Sequence, residues 1–356
     1  MSRLQRRNFD LGPVPTEPRP TMPDAASIKQ AWLDDQSIVL PSLLTKELET
    51  YAKDIKNAHL LMENVLNDAE ITPFIETPLY MDRYNKNFSI VSTSMEEHDI
   101  QGIEKIYFDA FAEGDEENVL AEELWCKGSW LSFIDDDASL RFRFSWGMEG
   151  FEDVSADPIK QHWAGELCTA LFPESETITK NGFILGCLKD ILGKDPAFVE
   201  RIVYFNAPNG GAQMHHDVER GHAGVVFAQL SGSTFWLSLA KPKLMAELTN
   251  FVTDSQNQEA IAKVIPDAKD RQRLLDLCQD HKTLSEYMEE PDHELVEAVV
   301  DRTTAFTQYL IQAGYSHTLE AGDVLFLPQR DLDNCVWHSV FTLGDNPGEA
   351  LSFAVR

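Results

Sequence analysis

Residues 201–239, RIVYFNAPNGGAQMHHDVERGHAGVVFAQLSGSTFWLSL, decide the fold, because they predict two β-strands around a turn with His215, His216 and Asp217 near the middle. Side chains alternate between the two faces of a strand. His215 and Asp217 therefore project together, and His216 projects the other way. One imidazole and one carboxylate on the same face are two of the three ligands of a facial iron site. The stretch therefore predicts part of a metal centre.

The third ligand is expected from the C-terminal part of the chain, and His338 is the residue predicted. Gly322-Asp323 predicts a turn that opens an apolar strand over residues 324–327, and a second short strand carries His338. The prediction is that His215, Asp217 and His338 bind one metal ion, whereas His216 and His222 do not.

Further motifs follow in a definite order along the chain: Gly211-Ala212, His215-x-Asp217, Gln229-x-x-Gly232, Trp236, Gly322-Asp323, Pro328 and His338. This order resembles the JmjC and asparaginyl-hydroxylase branch of the cupin-like Fe(II)- and 2-oxoglutarate-dependent dioxygenases. The resemblance is specific over about residues 203–239 and 317–356, and it is faint elsewhere.

The resemblance implies a fold, a cofactor and a reaction. The fold would be mainly β with added helices, around a double-stranded β-helix, also called a jelly roll or cupin. Fe(II) would be bound by His215, Asp217 and His338, with 2-oxoglutarate as cosubstrate. The reaction would be hydroxylation of an unactivated C–H bond of an amino acid, a peptide or another small molecule, with release of succinate and CO2.

One position departs from the family pattern. Where this branch often carries a lysine that binds the distal carboxylate of 2-oxoglutarate, the chain has Thr234. A buried carboxylate without a partner is costly, so another anchor is expected. Arg356 on the final strand is the predicted anchor, because a guanidinium grips a carboxylate with two bonds. Tyr204 and Thr234 are predicted to assist.

The predicted strand over residues 140–146 offers further candidates for the anchor. Arg141 and Arg143 alternate with phenylalanines there, so they either capture a carboxylate or form a solvated face. After Arg356, the next candidates to bind the distal carboxylate of 2-oxoglutarate are Arg141, Arg143 and Arg201.

Thr234 also keeps two other functions open. The chain could be a metal-binding cupin that does not use 2-oxoglutarate, such as an isomerase or another kind of dioxygenase. It could also be a cupin-like binding protein without catalysis.

Composition limits the partners and the compartment. The formal net charge of the 356 residues is −29, and surfaces that bind nucleic acid or anionic membranes are basic, so neither is expected. The acidity and the loop of residues 331–334 before His338 favour a basic substrate. Five cysteines without a CxxC pair, and no predicted signal peptide or membrane span, favour the reducing cytoplasm.

The predicted organisation has three regions. Residues 1–25 predict an extended N-terminal arm, residues 26–200 an α+β region that flanks the barrel, and residues 201–356 the catalytic jelly roll. Within the last region, residues 241–314 have apolar residues at helical spacing, which predicts a helical insertion between barrel strands. The insertion would pack on the barrel, cover the site as a lid or form the interface of a homodimer.

Overall fold

The computed structural model describes residues 3–6, 9–16, 18–95, 99–131, 139–148, 157–208, 210–219 and 221–356, and only the backbone of residue 116. Helix accounts for 41% of the structure and strand for 33%. The protein is therefore mixed α and β, which corrects the expectation of a mainly β chain. The sequence also predicts a hairpin with residues 135–137 between its strands and a turn at residues 209–211, but residues 135–137 and Asn209 lie outside the described residues.

The secondary structure elements have the following bounds. The strands are β1 Arg3–Arg6, β2 Phe9–Pro13, β3 Ile38–Leu40, β4 Phe88–Ser94, β5 Gly102–Ala112, β6 Asp115–Trp130, β7 Leu140–Trp146, β8 Phe198–Asn206, β9 Gly211–His215, β10 Gly224–Gln229, β11 Ser233–Ala240, β12 Ser316–Glu320, β13 Val324–Pro328, β14 Val336–Leu343 and β15 Gly348–Val355. The helices are α1 Ala25–Leu33, α2 Thr45–Thr50, α3 Ala52–Asp68, α4 Thr72–Ile75, α5 Pro78–Tyr84, α6 Pro158–Leu171, α7 Glu176–Thr179, α8 Gly182–Leu192, α9 Lys241–Thr253, α10 Gln258–Val264, α11 Ala268–Gln279, α12 His281–Met288, α13 Glu294–Arg302 and α14 Thr304–Gln312.

Strands β8 to β15 are divided between two antiparallel sheets that face each other. The larger sheet has the order β3-β13-β10-β15-β8-β7-β6-β5-β4, and the smaller sheet has the order β12-β11-β14-β9. Apolar side chains of both sheets, including Phe227, Trp236, Leu325 and Val340, pack together between them. The pocket described below opens into the same space.

The larger sheet also runs through the region of residues 26–200. Strands β4 to β7 extend it beyond β8. On its outer face, side chains such as Phe108, Val203, Phe205 and Phe353 form a large core with the helices of that region. The N-terminal region therefore supports the strands that line the pocket.

Helices α9 to α14 lie between β11 and β12, where the apolar spacing predicts an insertion. They pack against Phe235, Leu237 and Phe341, on the face of the smaller sheet that points away from the pocket. Among the described residues that line the pocket, none belongs to residues 241–312. The insertion therefore packs on the smaller sheet and lies away from this pocket, which differs from the lid interpretation. The homodimer interface stays a prediction.

Strands β1 and β2 form an antiparallel ladder, the N-terminal hairpin, within the stretch predicted as an extended arm. Leu4 and Leu11 are fully buried against the insertion. Arg6 is only 8% exposed. A strand of four residues is too short to show a periodicity in the sequence, and it forms because tertiary contacts bury every second side chain.

All five cysteines are buried, and none forms a disulfide within the described residues. Burial raises the pKa of thiols such as Cys168 and Cys335 to about 12. The thiols therefore stay protonated and contribute to packing. Within the described part of the chain, every helix is too short or too polar to cross a bilayer.

Candidate active site

A pocket of about 260 Å³ opens between the two sheets. Apolar side chains from both sheets, including Val225, Phe227, Trp236 and Val340, form part of its lining, and polar side chains converge from β7, β8, β9 and β14. A cleft with apolar walls and a few converging polar groups is typical of sites that bind small molecules.

His215, Asp217 and His338 converge in this pocket. His338 lies opposite His215 in the β9–β14 pair, and their ring centroids are 4.3 Å apart. Nε2 of His215 lies 3.5 Å from Oδ1 of Asp217, and Nε2 of His338 lies 3.5 Å from Oδ2 of Asp217. Metal–ligand bonds of about 2.0–2.2 Å place neighbouring ligands about 3 Å apart. Small shifts would therefore let the three groups share one ion.

Both histidines are oriented by contacts at Nδ1. His215 Nδ1 donates to the carbonyl oxygen of Gln213 at 2.7 Å, and His338 Nδ1 lies 3.5 Å from the carbonyl oxygen of Val336. A proton on Nδ1 leaves the lone pair on Nε2, the nitrogen that faces Asp217. The residues present therefore fit a divalent metal ion such as Fe(II).

The charges of the three groups depend on one another. Burial opposes ionisation of Asp217, but His338 and His215 outweigh burial and hold the pKa of the carboxyl well below its ordinary value. Burial, followed by the neighbouring His215, lowers the pKa of His338 to about 4. Burial also acts to lower the pKa of His215, but the hydrogen bond and the charge of Asp217, together with the carbonyl oxygen of Gln213 and the charge of Asp301, outweigh burial and raise that pKa. At neutral pH, Asp217 is ionised and His338 is neutral, as metal binding requires.

Gly211 lets β9 approach β14 closely. Its φ is 140°, and a Cβ at this position would lie 2.0 Å from the carbonyl oxygen of Val340. Only glycine fits this contact, so the Gly211-Ala212 motif serves to bring His215 opposite His338.

Thr234 does not line the pocket. Its buried hydroxyl donates to Gln229 Oε1 at 2.8 Å and accepts from Trp236 Nε1 at 2.9 Å. The indole of Trp236 stacks on His338, with centroids 5.3 Å apart and an interplanar angle of 26°. Because a hydroxyl has one proton to donate, Thr234 has none left for a carboxylate. Thr234 therefore orients Trp236, which differs from the predicted contact with 2-oxoglutarate.

Arg356 also lies outside the pocket. Its guanidinium donates to Gln161 Oε1 of α6 at 3.2 Å. Ser352 and Ala354 of the same strand line the pocket, and regular alternation would place Arg356 with them. However, the β8–β15 pairing shifts register between Ala354 and Val355, and a bulge re-aims the side chains that follow it. This irregularity explains why the structure differs from the prediction for Arg356.

Tyr204 and Arg141 both line the pocket, opposite each other on β8 and β7. Arg141 Nε donates to Ser129 Oγ at 2.8 Å, and its other guanidinium nitrogens have no partner within the described residues. Burial, with a further contribution from Asp217, raises the pKa of Tyr204 well above its ordinary value, so its hydroxyl stays a donor. The charged face of β7 points into the pocket, which corrects the solvated-face interpretation.

Two other arginines have partners of their own. Arg143 lines the pocket and forms an ion pair with Glu200 of β8. Arg201 points to the opposite face of β8 and donates to the carbonyl oxygen of Gly165 at 2.7 Å. Neither is therefore as available to a ligand as Arg141.

A second polar group in the pocket, which no sequence motif indicates, is formed by Glu200, Glu219 and His222. Their potential ligand atoms lie within 4.8 Å of one another. Strand alternation could have indicated that these carboxylates face the pocket. Glu200 lies on the same strand face as Tyr204, and Glu219 follows Asp217 by two residues. This group adds the carboxyl of Glu219 to the pocket wall, beside the ion pair of Glu200 with Arg143.

His216 points away from the pocket, as strand alternation predicts. Its Nε2 donates to Glu289 Oε2 at 2.9 Å, and its Nδ1 accepts the N–H of Val218 at 3.1 Å. Lys241, which is 2% exposed, donates to the other oxygen of Glu289 at 2.7 Å. The segment that carries the candidate ligands is therefore tied to the insertion behind it.

Comparison with known proteins gives only distant likeness. The chain matches no protein-family model, and no curated protein is similar to it. An oxidoreductase of the 2OG-Fe(II) oxygenase family from Burkholderia pseudomallei is 9% identical, with 96% of this chain and 95% of that chain covered and a TM-score of 0.33. Two structures of the ribosomal oxygenase YcfD from Escherichia coli are each 12% identical. One covers 92% of this chain and 50% of that chain with a TM-score of 0.27, and the other covers 79% and 44% with a TM-score of 0.26. Likeness at this level does not assign the chain to a family.

Proposed function

We propose that the protein is an Fe(II)- and 2-oxoglutarate-dependent oxygenase that hydroxylates an unactivated C–H bond of an amino acid, a peptide or another small molecule. One observation carries the proposal: His215, Asp217 and His338 converge in a pocket, with both Nε2 atoms turned toward the carboxylate. Two histidines and one carboxylate on one face of the metal are the ligand set of non-haem iron oxygenases.

The strand order supports a double-stranded β-helix as the core. If β8 to β15 are counted as strands one to eight, the larger sheet contains the order 6-3-8-1 and the smaller sheet has the order 5-4-7-2. Two facing antiparallel sheets of this kind make an eight-stranded jelly roll. The second and seventh strands, which carry His215 and His338, are then neighbours. The finer assignment to the JmjC and asparaginyl-hydroxylase branch rests on the order of the motifs.

The chain would supply binding and orientation. His215, Asp217 and His338 would hold Fe(II), and the bound ion would supply activation of oxygen coupled to decarboxylation of 2-oxoglutarate to succinate. Trp236 keeps the His338 ring in place from one side. The apolar side chains of Val225 and Phe227 exclude water from the neighbouring wall.

Arg141 takes the place of Arg356 as the proposed partner of the distal carboxylate of 2-oxoglutarate. It lines the pocket, and its guanidinium can donate two parallel bonds to a carboxylate. Tyr204 lies opposite it in the β7–β8 pair and can add a hydroxyl donor. Arg143 is a poorer choice because Glu200 already pairs with it.

A basic substrate, such as an amino acid or peptide with a cationic side chain, suits the pocket best. Glu200 and Glu219 belong to its lining, and the net charge of −29 favours the approach of cations. The same charge disfavours nucleic acid and anionic membranes as partners. A location in the cytoplasm and a homodimeric state also belong to the proposal.

The deciding experiment measures succinate formation with and without Fe(II) and with and without 2-oxoglutarate. Wild-type protein should form succinate only when both are present, and incubation with basic amino acids and peptides should reveal a product heavier by one oxygen atom. His338→Ala should reduce succinate to background. Succinate formation that does not depend on added iron, or that persists in the His338 variant, would contradict the proposal.

A metal-binding cupin that does not use 2-oxoglutarate is the second candidate. It is favoured by Thr234, whose hydroxyl is engaged by Gln229 and Trp236, and by the position of Arg356 outside the pocket. Calorimetric titration of the anaerobic Fe(II)-loaded protein with 2-oxoglutarate separates the two functions. Binding that weakens in Arg141→Ala supports the oxygenase, and no binding to the wild type supports the second candidate or a non-catalytic binding protein.

A further inference from the structure

We propose that Arg6, on the N-terminal hairpin, is a positioning residue that holds the bulged strand β9 from behind, together with Asp301 of the insertion. The inference rests on the proposed function to the extent that His215, the last residue of β9, is a metal ligand. The described hydrogen bonds of Arg6 go to Asp301 and to the backbone of the two strands that carry His215 and His338, so Arg6 acts through that backbone.

The guanidinium of Arg6 contacts both strands and the insertion at once. It forms an ion pair with Asp301 of α13, and its Nη2 donates to the carbonyl oxygen of Ala212 at 2.6 Å and to that of Val340 at 3.3 Å. The guanidinium carbon also lies 4.2 Å from the ring centroid of Phe341. One side chain from residues 3–13 therefore joins β9, β14 and α13.

These contacts lie at an irregularity in the β9–β14 pair. Between the pair His338–His215 and the pair Val340–Ala212, two residues of β9 stand opposite one residue of β14. A bulge of this kind interrupts the regular ladder and re-aims the next side chain, which here is the imidazole of His215. The buried backbone groups at a bulge need other partners.

Arg6 and Asp301 supply such partners. Asp301 Oδ1 accepts the N–H of Met214 at 2.9 Å, and Arg6 donates to the carbonyl oxygens of Ala212 and Val340, which are paired across the two strands at one end of the bulge. Met214 immediately precedes His215, so the carboxylate fixes the peptide that orients the ligand. The bulge is therefore held by side chains from distant parts of the sequence.

The two charged groups depend on each other. The side chain of Asp301 is 1% exposed and that of Arg6 is 9% exposed, and a charge buried this deeply is tolerated only with a partner. Loss of Arg6 would leave Asp301 without a cationic partner. The hydrogen bond from the N–H of Met214 to Asp301 would then weaken. The hairpin and the insertion thus cooperate to position His215.

Two measurements on the full-length protein test the inference. The first is hydrogen–deuterium exchange of residues 211–217 in metal-free protein, and the second is anaerobic titration with Co(II), followed by its visible absorption. Arg6→Met should speed exchange of this segment and weaken Co(II) binding, each by about tenfold or more, with an altered Co(II) spectrum. Arg6→Lys should recover part of both, because an ammonium can pair with Asp301 but lacks the planar fork.

The matched control is Arg3→Met. Arg3 lies on the same strand β1 but pairs with Asp10 within the exposed surface of the hairpin, so its loss should change neither measurement. A double variant, Arg6→Met with Asp301→Leu, removes both buried charges and leaves neither unpaired, so it guards against unfolding caused by a single buried charge. It should still show faster exchange and weaker Co(II) binding, because the N–H of Met214 has lost its acceptor.

The outcomes separate this inference from the proposed function. If the wild type binds no Co(II), or binds it equally after His215→Ala, the proposed metal site is wrong and hydrogen exchange alone decides the role of Arg6. If binding depends on His215 but the double variant matches the wild type in both exchange and affinity, the role of Arg6 is overturned and the proposed function stands.

Discussion

The two faces of residues 212–217 differ in what their side chains and backbone contact. On the pocket face, His215 and Asp217 have side chains 40% and 34% exposed, and their polar atoms point to a common centre. On the rear face, His216 is bound by Glu289 and the N–H of Met214 by Asp301. The polar atoms on the pocket face thus remain available to a ligand. Those on the rear face bind neighbouring side chains and fix the strand. A site is pre-organised when the groups behind its ligands are locked in this way.

Substitution of a front-face residue should have the largest effect. His215→Ala, Asp217→Ala or His338→Ala removes one of three proposed ligands, so both metal binding and metal-dependent succinate formation should fall to background. His281→Ala, on the exposed surface of α12, serves as the histidine control. Anaerobic Fe(II) titration and a succinate assay measure both quantities. Equal activity in the His215 and His281 variants would contradict a special role for the pocket face of residues 212–217.

Loss of a rear-face carboxylate should act first on stability. Glu289→Ala leaves the buried ammonium of Lys241 without its partner, which should lower the free energy of unfolding by about 3–5 kcal/mol. Metal affinity should fall by about tenfold, because His216 beside the ligand loses its anchor. Urea denaturation and Co(II) titration test the pair of effects. The neighbouring exposed Glu290→Ala should change neither, and equal effects in the two variants would contradict a rear support.

Substitution of Arg141 tests whether this residue of the pocket wall binds 2-oxoglutarate. Arg141→Ala should raise the dissociation constant of 2-oxoglutarate by about 10- to 100-fold, the value of one or two charged hydrogen bonds. Iron affinity should stay near that of the wild type. Arg356→Ala is the control, since Arg356 contacts Gln161 outside the pocket. A larger effect for Arg356 than for Arg141 would restore the anchor that the sequence predicts.

A buried carboxyl pair far from the ligands provides the smallest expected effect. Glu174 and Glu349 are both 0% exposed, and, unlike Asp301 and Glu289, neither has a hydrogen-bonding partner among the described residues when the two are ionised. Burial raises the pKa of Glu174 to about 7, against opposing contributions that include Arg83. Burial and Glu174 raise the pKa of Glu349 well above its ordinary value.

Because these folded-state pKa values are raised, the protonated forms stabilise the protein at low pH. That contribution is present below about pH 4.5, the ordinary value, and is lost as the pH rises through the folded-state values. Glu349→Gln should therefore gain stability relative to the wild type between pH 5 and pH 8, on the order of 1–3 kcal/mol. Urea midpoints at the two pH values measure the gain. A variant that is less stable at pH 8 than at pH 5, relative to the wild type, would show that the pair has another partner.

The sequence predicts the front of the site better than its support. Strand parity is a local property, so the pocket-facing direction of His215 and Asp217 and the opposite direction of His216 can be read from three residues. Glycine-aspartate turns and apolar strands likewise place β13 and β14. The position of Arg356 depends on a bulge after Ala354, and the buried state of Arg6 depends on Asp301, nearly 300 residues away. Periodicity contains no information about either.

The N-terminal hairpin has a consequence for the order of folding. Arg6 and its partners Ala212, Asp301 and Val340 are separated by 206, 295 and 334 residues, and contacts of such long range form late because loop closure must come first. During synthesis, residues 3–13 leave the ribosome long before β14 exists. We expect the hairpin to dock only after β14 has paired with β9. A chain stalled before that step would present His215 on a strand that has not yet been fixed from behind.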